Sequence, residues 1–105
     1  MNNNLALVNE IFDTSIDSAY IGRVNSKEVY KLQFSLEGNC EMKIVLKDLI
    51  KNKTYQVVTK NNRFIEGNYH FTIFPHIDSD LMVDISKIDG RLHSIELYKL
   101  EKQEG

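Results

Sequence analysis

Apolar and polar residues alternate along most of this chain. From Glu28 to Leu36, Tyr30, Leu32, Phe34 and Leu36 hold one phase, and Lys31, Gln33 and Ser35 hold the other. That is the period of two shown by a strand with one dry side. Cys40, Met42, Ile44 and Leu46 against Glu41, Lys43 and Lys47 repeat it. Between the two runs, Glu37-Gly38-Asn39 reads as a short hairpin loop. Asp48 to Lys53 is the next connection, with Leu49 and Ile50 expected to tuck under it and close one end of the core. Thr54 to Thr59 is a β-branched run stopped by Lys60-Asn61-Asn62. Gly67, between Phe64-Ile65 and the Asn68–Phe74 run, predicts a bulge or sharp bend. Tyr69, Phe71 and Ile73 share one face, and Pro75, which cannot donate to a ladder, ends that strand. Leu81, Val83 and Ile85 point inward, Asp89-Gly90 reads as a turn, and the last strand runs from Leu92 to Leu100.

Upstream, Tyr20, Ile21 and Val24 form the expected first strand. Asn4 could cap a short helix carrying Leu5, Val8 and Phe12, and the same residues also read as an extended lead-in. Short strands at regular spacing with turn residues between them predict an all-β fold. The expected form is one antiparallel β-sandwich domain, jelly-roll-like, with seven to eight strands over residues 1–105. The expected core is Tyr30, Leu32, Phe34, Met42, Ile44, Leu46, Tyr69, Phe71, Ile73, Leu81, Val83 and Ile85.

Composition narrows the function classes. A chain of 105 residues with 42% hydrophobic and 27% charged residues is long enough for one core and lies outside the disordered class. No apolar run approaches the roughly 20 residues of a membrane span. The N-terminus lacks the basic start and long apolar centre of a secretory signal, so the chain is expected to stay in the cytoplasm where it is made. The single Cys40 excludes an internal disulfide and reads as a small buried apolar residue. Net charge is −2, which gives no global attraction to nucleic acid. The charge is uneven: Lys43, Lys47, Lys51, Lys53, Lys60 and Arg63 face one acid, Asp48, in the same stretch. Lysines at edge and solvent positions keep sheets from pairing, which explains them without a ligand.

Several runs carry a resemblance. Asn4-Leu5 with Asn9 and Phe12-Asp13, then Tyr30-Lys31-Leu32-Gln33-Phe34, Tyr69-His70-Phe71-Thr72-Ile73 and Leu92-His93-Ser94-Ile95-Glu96-Leu97 resemble the galactose-binding-domain-like jelly rolls. These include many carbohydrate-binding modules and similar modules of phage structural proteins. The tryptophans usual in such modules are missing, and Tyr20 and Phe64 lie nearest their places. An immunoglobulin-like sandwich is the alternative arrangement of the same strands.

Candidate chemistry is sparse. His70, His76 and His93 show no metal-ligand spacing. Asp78 and Asp80, with Asp84 and His76 nearby, are the one cluster of hard oxygen donors that calcium could use, but they lack the Gly and terminal Glu of an EF-hand loop. No Gly-x-Ser-x-Gly elbow or phosphate-cradling Gly-rich loop is present. No cofactor, resident metal or enzymatic activity is therefore expected. What remains is a structural or interaction protein acting on a protein partner or on copies of itself, such as a capsid-decorating or tail-associated virion component. A carbohydrate-binding module and a small inhibitor using the basic stretch are the rivals. Leu92, Tyr98 and Leu100 occupy one phase of the last strand and Ile95 and Leu97 the other. Since one sheet interface dries only one phase, this strand is the expected partner contact.

Overall fold

The computed structural model of the chain describes residues 4–11, 18–59 and 61–101. Among them, six strands form one antiparallel sheet: β1 (Asn4–Ile11), β2 (Ser18–Val24), β3 (Tyr30–Asp48), β4 (Lys53–Val57), β5 (Arg63–Ile73) and β6 (Ser79–Glu101). Of the two readings left open for the N-terminal segment, the structure takes the extended one and not the short helix: it is strand β1, because Asn4 to Ile11 ladder against Glu101 to Ile95 of β6. The Phe12 end of that expectation lies outside the described residues.

Six strands stand where seven to eight were expected, because two predicted turns are not turns. Glu37-Gly38-Asn39 and Asp89-Gly90 lie inside β3 and β6, directly opposite each other, with Gly38 paired to Gly90. The two strands run side by side from Tyr30 opposite Lys99 to Lys47 opposite Asp80. At about 3.3 Å per residue a straight strand the length of β6 would span roughly 75 Å. The molecule's longest dimension is 46 Å, so both strands must bend.

They bend where the glycines meet. Gly38 has φ +82° and Gly90 φ +135°, conformations that side chains other than glycine's rarely adopt. A Cβ on Gly38 would lie 2.1 Å from the Asp89 carbonyl oxygen, and one on Gly90 would lie 2.1 Å from that of Glu37. Bulges flank the bend, with β6 carrying one residue more than β3 between Glu41/Met42 and again between Phe34/Leu36.

The bend divides the sheet into two arms. On the first, β1, the end of β6, the start of β3 and β5 lie side by side. On the second, the order is β2, the start of β6, the end of β3 and β4. Loops 25–29 and 74–78 connect the arms at their far ends. The arms close on each other: Asn9 Nδ2 donates to the Ile21 carbonyl at 2.5 Å, and Gly22 lies against Leu97. Tyr30, Leu32, Phe34 and Leu36 from one arm and Met42, Ile44, Leu46, Leu81 and Val83 from the other form one core.

Ten of the twelve expected core residues are buried; Tyr69 and Phe71 are half-buried at the β5 margin, packed against Phe34. Leu49 and Ile50 do not tuck under the core. They sit at the exposed tip of the β3–β4 turn, where Asp48 Oδ1 accepts from the amides of Ile50 (2.9 Å) and Lys51 (3.0 Å). This short-range capping fixes the turn with its apolar side chains outward.

Candidate interaction surface

The inner face is filled by the chain's own side chains, which leaves the outside of the sheet and the loop end as places where chemistry or binding can occur. At the loop end, the two aspartates considered for calcium are occupied separately. Asp78 Oδ1 accepts from the Ser26 amide at 2.7 Å, tying together the two loops that join the arms. That bond holds its carboxyl below the usual carboxylate range. Asp80 pairs with Arg23 at 3.3 Å and accepts from the Leu49 amide at 3.3 Å. Asp84 lies further along β6, opposite Lys43. Among the described residues, no three His, Cys, Asp or Glu side chains converge in a way that could hold a metal ion.

Cys40 lines a shallow groove of about 290 Å³ at the bend, with Asn39, Glu41, Arg63, Phe64, Ile65, Lys87 and Asp89. Burial, then the nearby Glu41 charge, pushes its thiol up, so the neutral thiol is favoured over the nucleophilic thiolate. His93 lies 3.3 Å from Glu37, both on the bend; His70 and His76 are exposed.

The tyrosines are mostly committed inside the chain. Tyr30 is buried with its hydroxyl accepting from the Asn25 amide, and Tyr69 stacks on Phe34 while its hydroxyl donates to the Ile65 carbonyl at 2.6 Å. The Tyr55 hydroxyl donates to Asp48, and that of Tyr98 donates to Glu96, which pushes the Tyr98 phenol up. The basic stretch is likewise dispersed. Lys47 bonds Asn52, Lys53 lies over the Tyr55 ring, and Arg63 sits 3.5 Å from Glu41. Lys60 lies outside the described residues.

The last strand is placed differently from the expectation. Between residues 92 and 95 the bulge shifts β6 by one phase, so Leu92, Ile95 and Leu97 all point into the core and are fully buried. These three side chains are closed to a partner. Tyr98 and Leu100 remain half-buried on the outer face.

Two apolar rows cross the outside of the sheet. On the first arm, Leu5 lies opposite Leu100 and Leu7 opposite Tyr98. Leu100 bonds the Val29 carbonyl, and Val29 and Phe74 flank the paired Tyr30 and Ile73. Leu7 is 54% exposed and Phe74 59%. On the second arm, Tyr20, Met82, Val45 and Val57 lie in register across all four strands. Val45 breaks the lysine phase of its strand, and that was the sequence signal for this row. Leu5 and Leu7 were hidden because a strand and a short helix both suit their spacing.

No family model matches the chain, and no match comes from the curated proteins or the solved structures.

Proposed function

We propose that this chain is a non-catalytic interaction protein that works within an assembly and meets its partner with the outside of its sheet. The observation that carries the reading is a pair of outer apolar stretches on a sheet whose inner face is already satisfied: Tyr20, Met82, Val45 and Val57 across all four strands of the second arm, and Leu5, Leu7, Tyr98 and Leu100 on β1 and β6 of the first. A strand with one face buried ordinarily presents polar residues on the other. Apolar positions kept in register on a solvent face lose stabilisation that a partner would restore, at about 25 cal/mol for each Å² covered.

In its finer form the proposal takes the doubled-over sheet as a two-layered sandwich of the jelly-roll kind. The setting is a particle made of many protein copies, such as a virion shell or tail, which offers broad protein surfaces to flat apolar faces. Hydroxyl-radical footprinting of the chain in its native particle and after purification tests the reading. Protection of Leu5, Leu7 and Phe74, or of Tyr20, Met82 and Val57, in the particle alone is the expected result. Equal modification of both rows in the two states would overturn it.

A further inference from the structure

Among the described residues, four strands present a free edge, since β1 and β2 each pair only with β6, and β4 and β5 only with β3. Open edges template pairing with another strand unless they are short, charged, bulged or covered. Three of the four carry such devices. β4 is five residues long, begins with Lys53, and its Gln56 side chain donates to the Phe74 carbonyl and accepts from the His76 amide. β5 carries Arg63, Glu66 and His70 along its length and meets a bulge beside Gly67. β2 has a bulge between Tyr20/Gly22, and its Arg23 is paired with Asp80.

β1 differs. Its segment Asn4-Leu5-Ala6-Leu7 is regularly laddered on β6, holds no charge and no proline, and exposes both leucines; its bulge lies beyond, between Leu7/Asn9. The same segment begins the apolar stretch of the first arm, so an edge that pairs with no further strand among the described residues coincides with an apolar face at one place.

We infer that a second copy of this chain pairs with that edge, β1 antiparallel to β1 about a two-fold axis through Ala6. The sequence is self-complementary in this register. Leu5 of one copy falls opposite Leu7 of the other, and directly opposed residues of an antiparallel pair share a face. The outer rows then join across the seam, Tyr98–Leu7 of one copy meeting Leu5–Leu100 of the next. A two-fold pairing also closes, leaving neither β1 edge to recruit a third chain. This rests on the reading that the outer face is the contact surface and names its partner. A seam of about five residues is roughly 17 Å long. Its area falls below the roughly 800 Å² per partner of a standard stable interface, so the dimer dissociates on dilution.

Sedimentation velocity of the purified full chain over a concentration series tests this, using the parent, the double variant Leu5→Lys/Leu7→Lys and Val57→Lys. The double variant sets lysines opposite one another across the seam, and Val57→Lys alters the other outer row. The expected result is a reversible doubling of mass in the parent and in Val57→Lys, lost at every concentration in the double variant. Hydrogen exchange supplies a readout independent of variant folding, with amides of residues 4–8 in the parent gaining protection as concentration rises. A parent that stays monomeric with no such gain overturns the self-pairing, as does a dimer that survives in the double variant or is lost in Val57→Lys. Protection of the outer rows in native particles would then still support the broader reading, so the two failures are distinguishable.

Discussion

Replacing either glycine at the bend with alanine is the sharpest test of this fold. At Gly38 the cost has two parts. Its φ of +82° is a conformation that strains a residue with a Cβ by about 1–3 kcal/mol. The new methyl would also sit 2.1 Å from the Asp89 carbonyl oxygen and 3.0 Å from the Gly90 Cα, both backbone atoms of the facing central strand. No rotamer change relieves such a contact. The strands must separate, an overpacking cost of about 1–3 kcal/mol. Gly90→Ala meets the mirror-image problem, 2.1 Å from the Glu37 carbonyl oxygen. Each variant should therefore lose about 2–6 kcal/mol, against a total near 5–15 kcal/mol for a domain of this size. The double variant should lose less than the sum, because one separation of the strands relieves both clashes. Two other glycines serve as controls. Gly67 has φ +154° but no clash, its nearest contact being an ordinary 3.8 Å to the Tyr69 ring, so Gly67→Ala should show the backbone strain alone. The contact of Gly22 is the flexible Leu97 side-chain end at 3.3 Å, and Gly22→Ala should be milder still. Urea unfolding reads the series as midpoint shifts at constant slope, roughly 1–3 M for the bend variants. Gly38→Ala and Gly90→Ala within about 0.5 kcal/mol of the parent, or Gly67→Ala the worst of the set, would refute the bend.

Three further outcomes follow from the core and the loop end. Phe34→Ala should cost about 3–5 kcal/mol, whereas half-buried Phe71→Ala should cost about 1–2 kcal/mol, and equal costs by urea unfolding would contradict the burial assigned to β5. The folded-state pKa of Asp78 lies below its unfolded value, so its bond to Ser26 stabilises fully above about pH 3.9 and fades as pH falls through the lowered value. Asp78→Asn keeps an acceptor oxygen that does not titrate; it should flatten the acid limb of melting temperature against pH, and an unchanged limb would remove Asp78 from this role. Burial keeps the Cys40 thiol neutral, so an alkylating reagent at neutral pH should label it slowly in the folded chain and quickly in denaturant, with equal rates contradicting its placement.

Alternation along β3 made the inward set Tyr30, Leu32, Phe34, Met42, Ile44 and Leu46 legible, because the extra residues of the two bulges between β3 and β6 sit on β6 and leave the period of two along β3 unbroken. The bend itself was not legible, since a glycine flanked by polar residues suits a hairpin turn as well as a crossing of two long strands. Only the pairing of Gly38 with Gly90, some fifty positions apart in the chain, separates the two, and local propensity carries no information about it. The same blindness misplaced Leu92 and its neighbours. A bulge needs only one residue without a partner, and His93-Ser94 has no composition that marks it. For the interaction surface, the edge status of β1 depends on strand order, which is a property of the whole topology.

The bend and the loop end act together on the surface proposed for binding. Glycine contacts between Gly38 and Gly90 set the angle at which the two arms leave the bend. At the other end, the Asp78–Ser26 bond fixes loops 25–29 and 74–78, which join the arms, to each other. Two arms held at both ends can only shift by breaking one of these attachments or by opening the core between them, and close-packed cores resist gradual deformation. The outer rows are therefore presented in a fixed mutual orientation, which lowers the ordering cost of docking a flat partner. Loosening the loop end with Asp78→Ala should thus weaken assembly more than a substitution at the exposed turn tip, such as Ile50→Ser, which leaves both attachments intact. Competition of each folded variant against the parent for incorporation into the proposed assembly measures this. Equal incorporation of Asp78→Ala and Ile50→Ser would show that the rows bind without needing the arms held rigid.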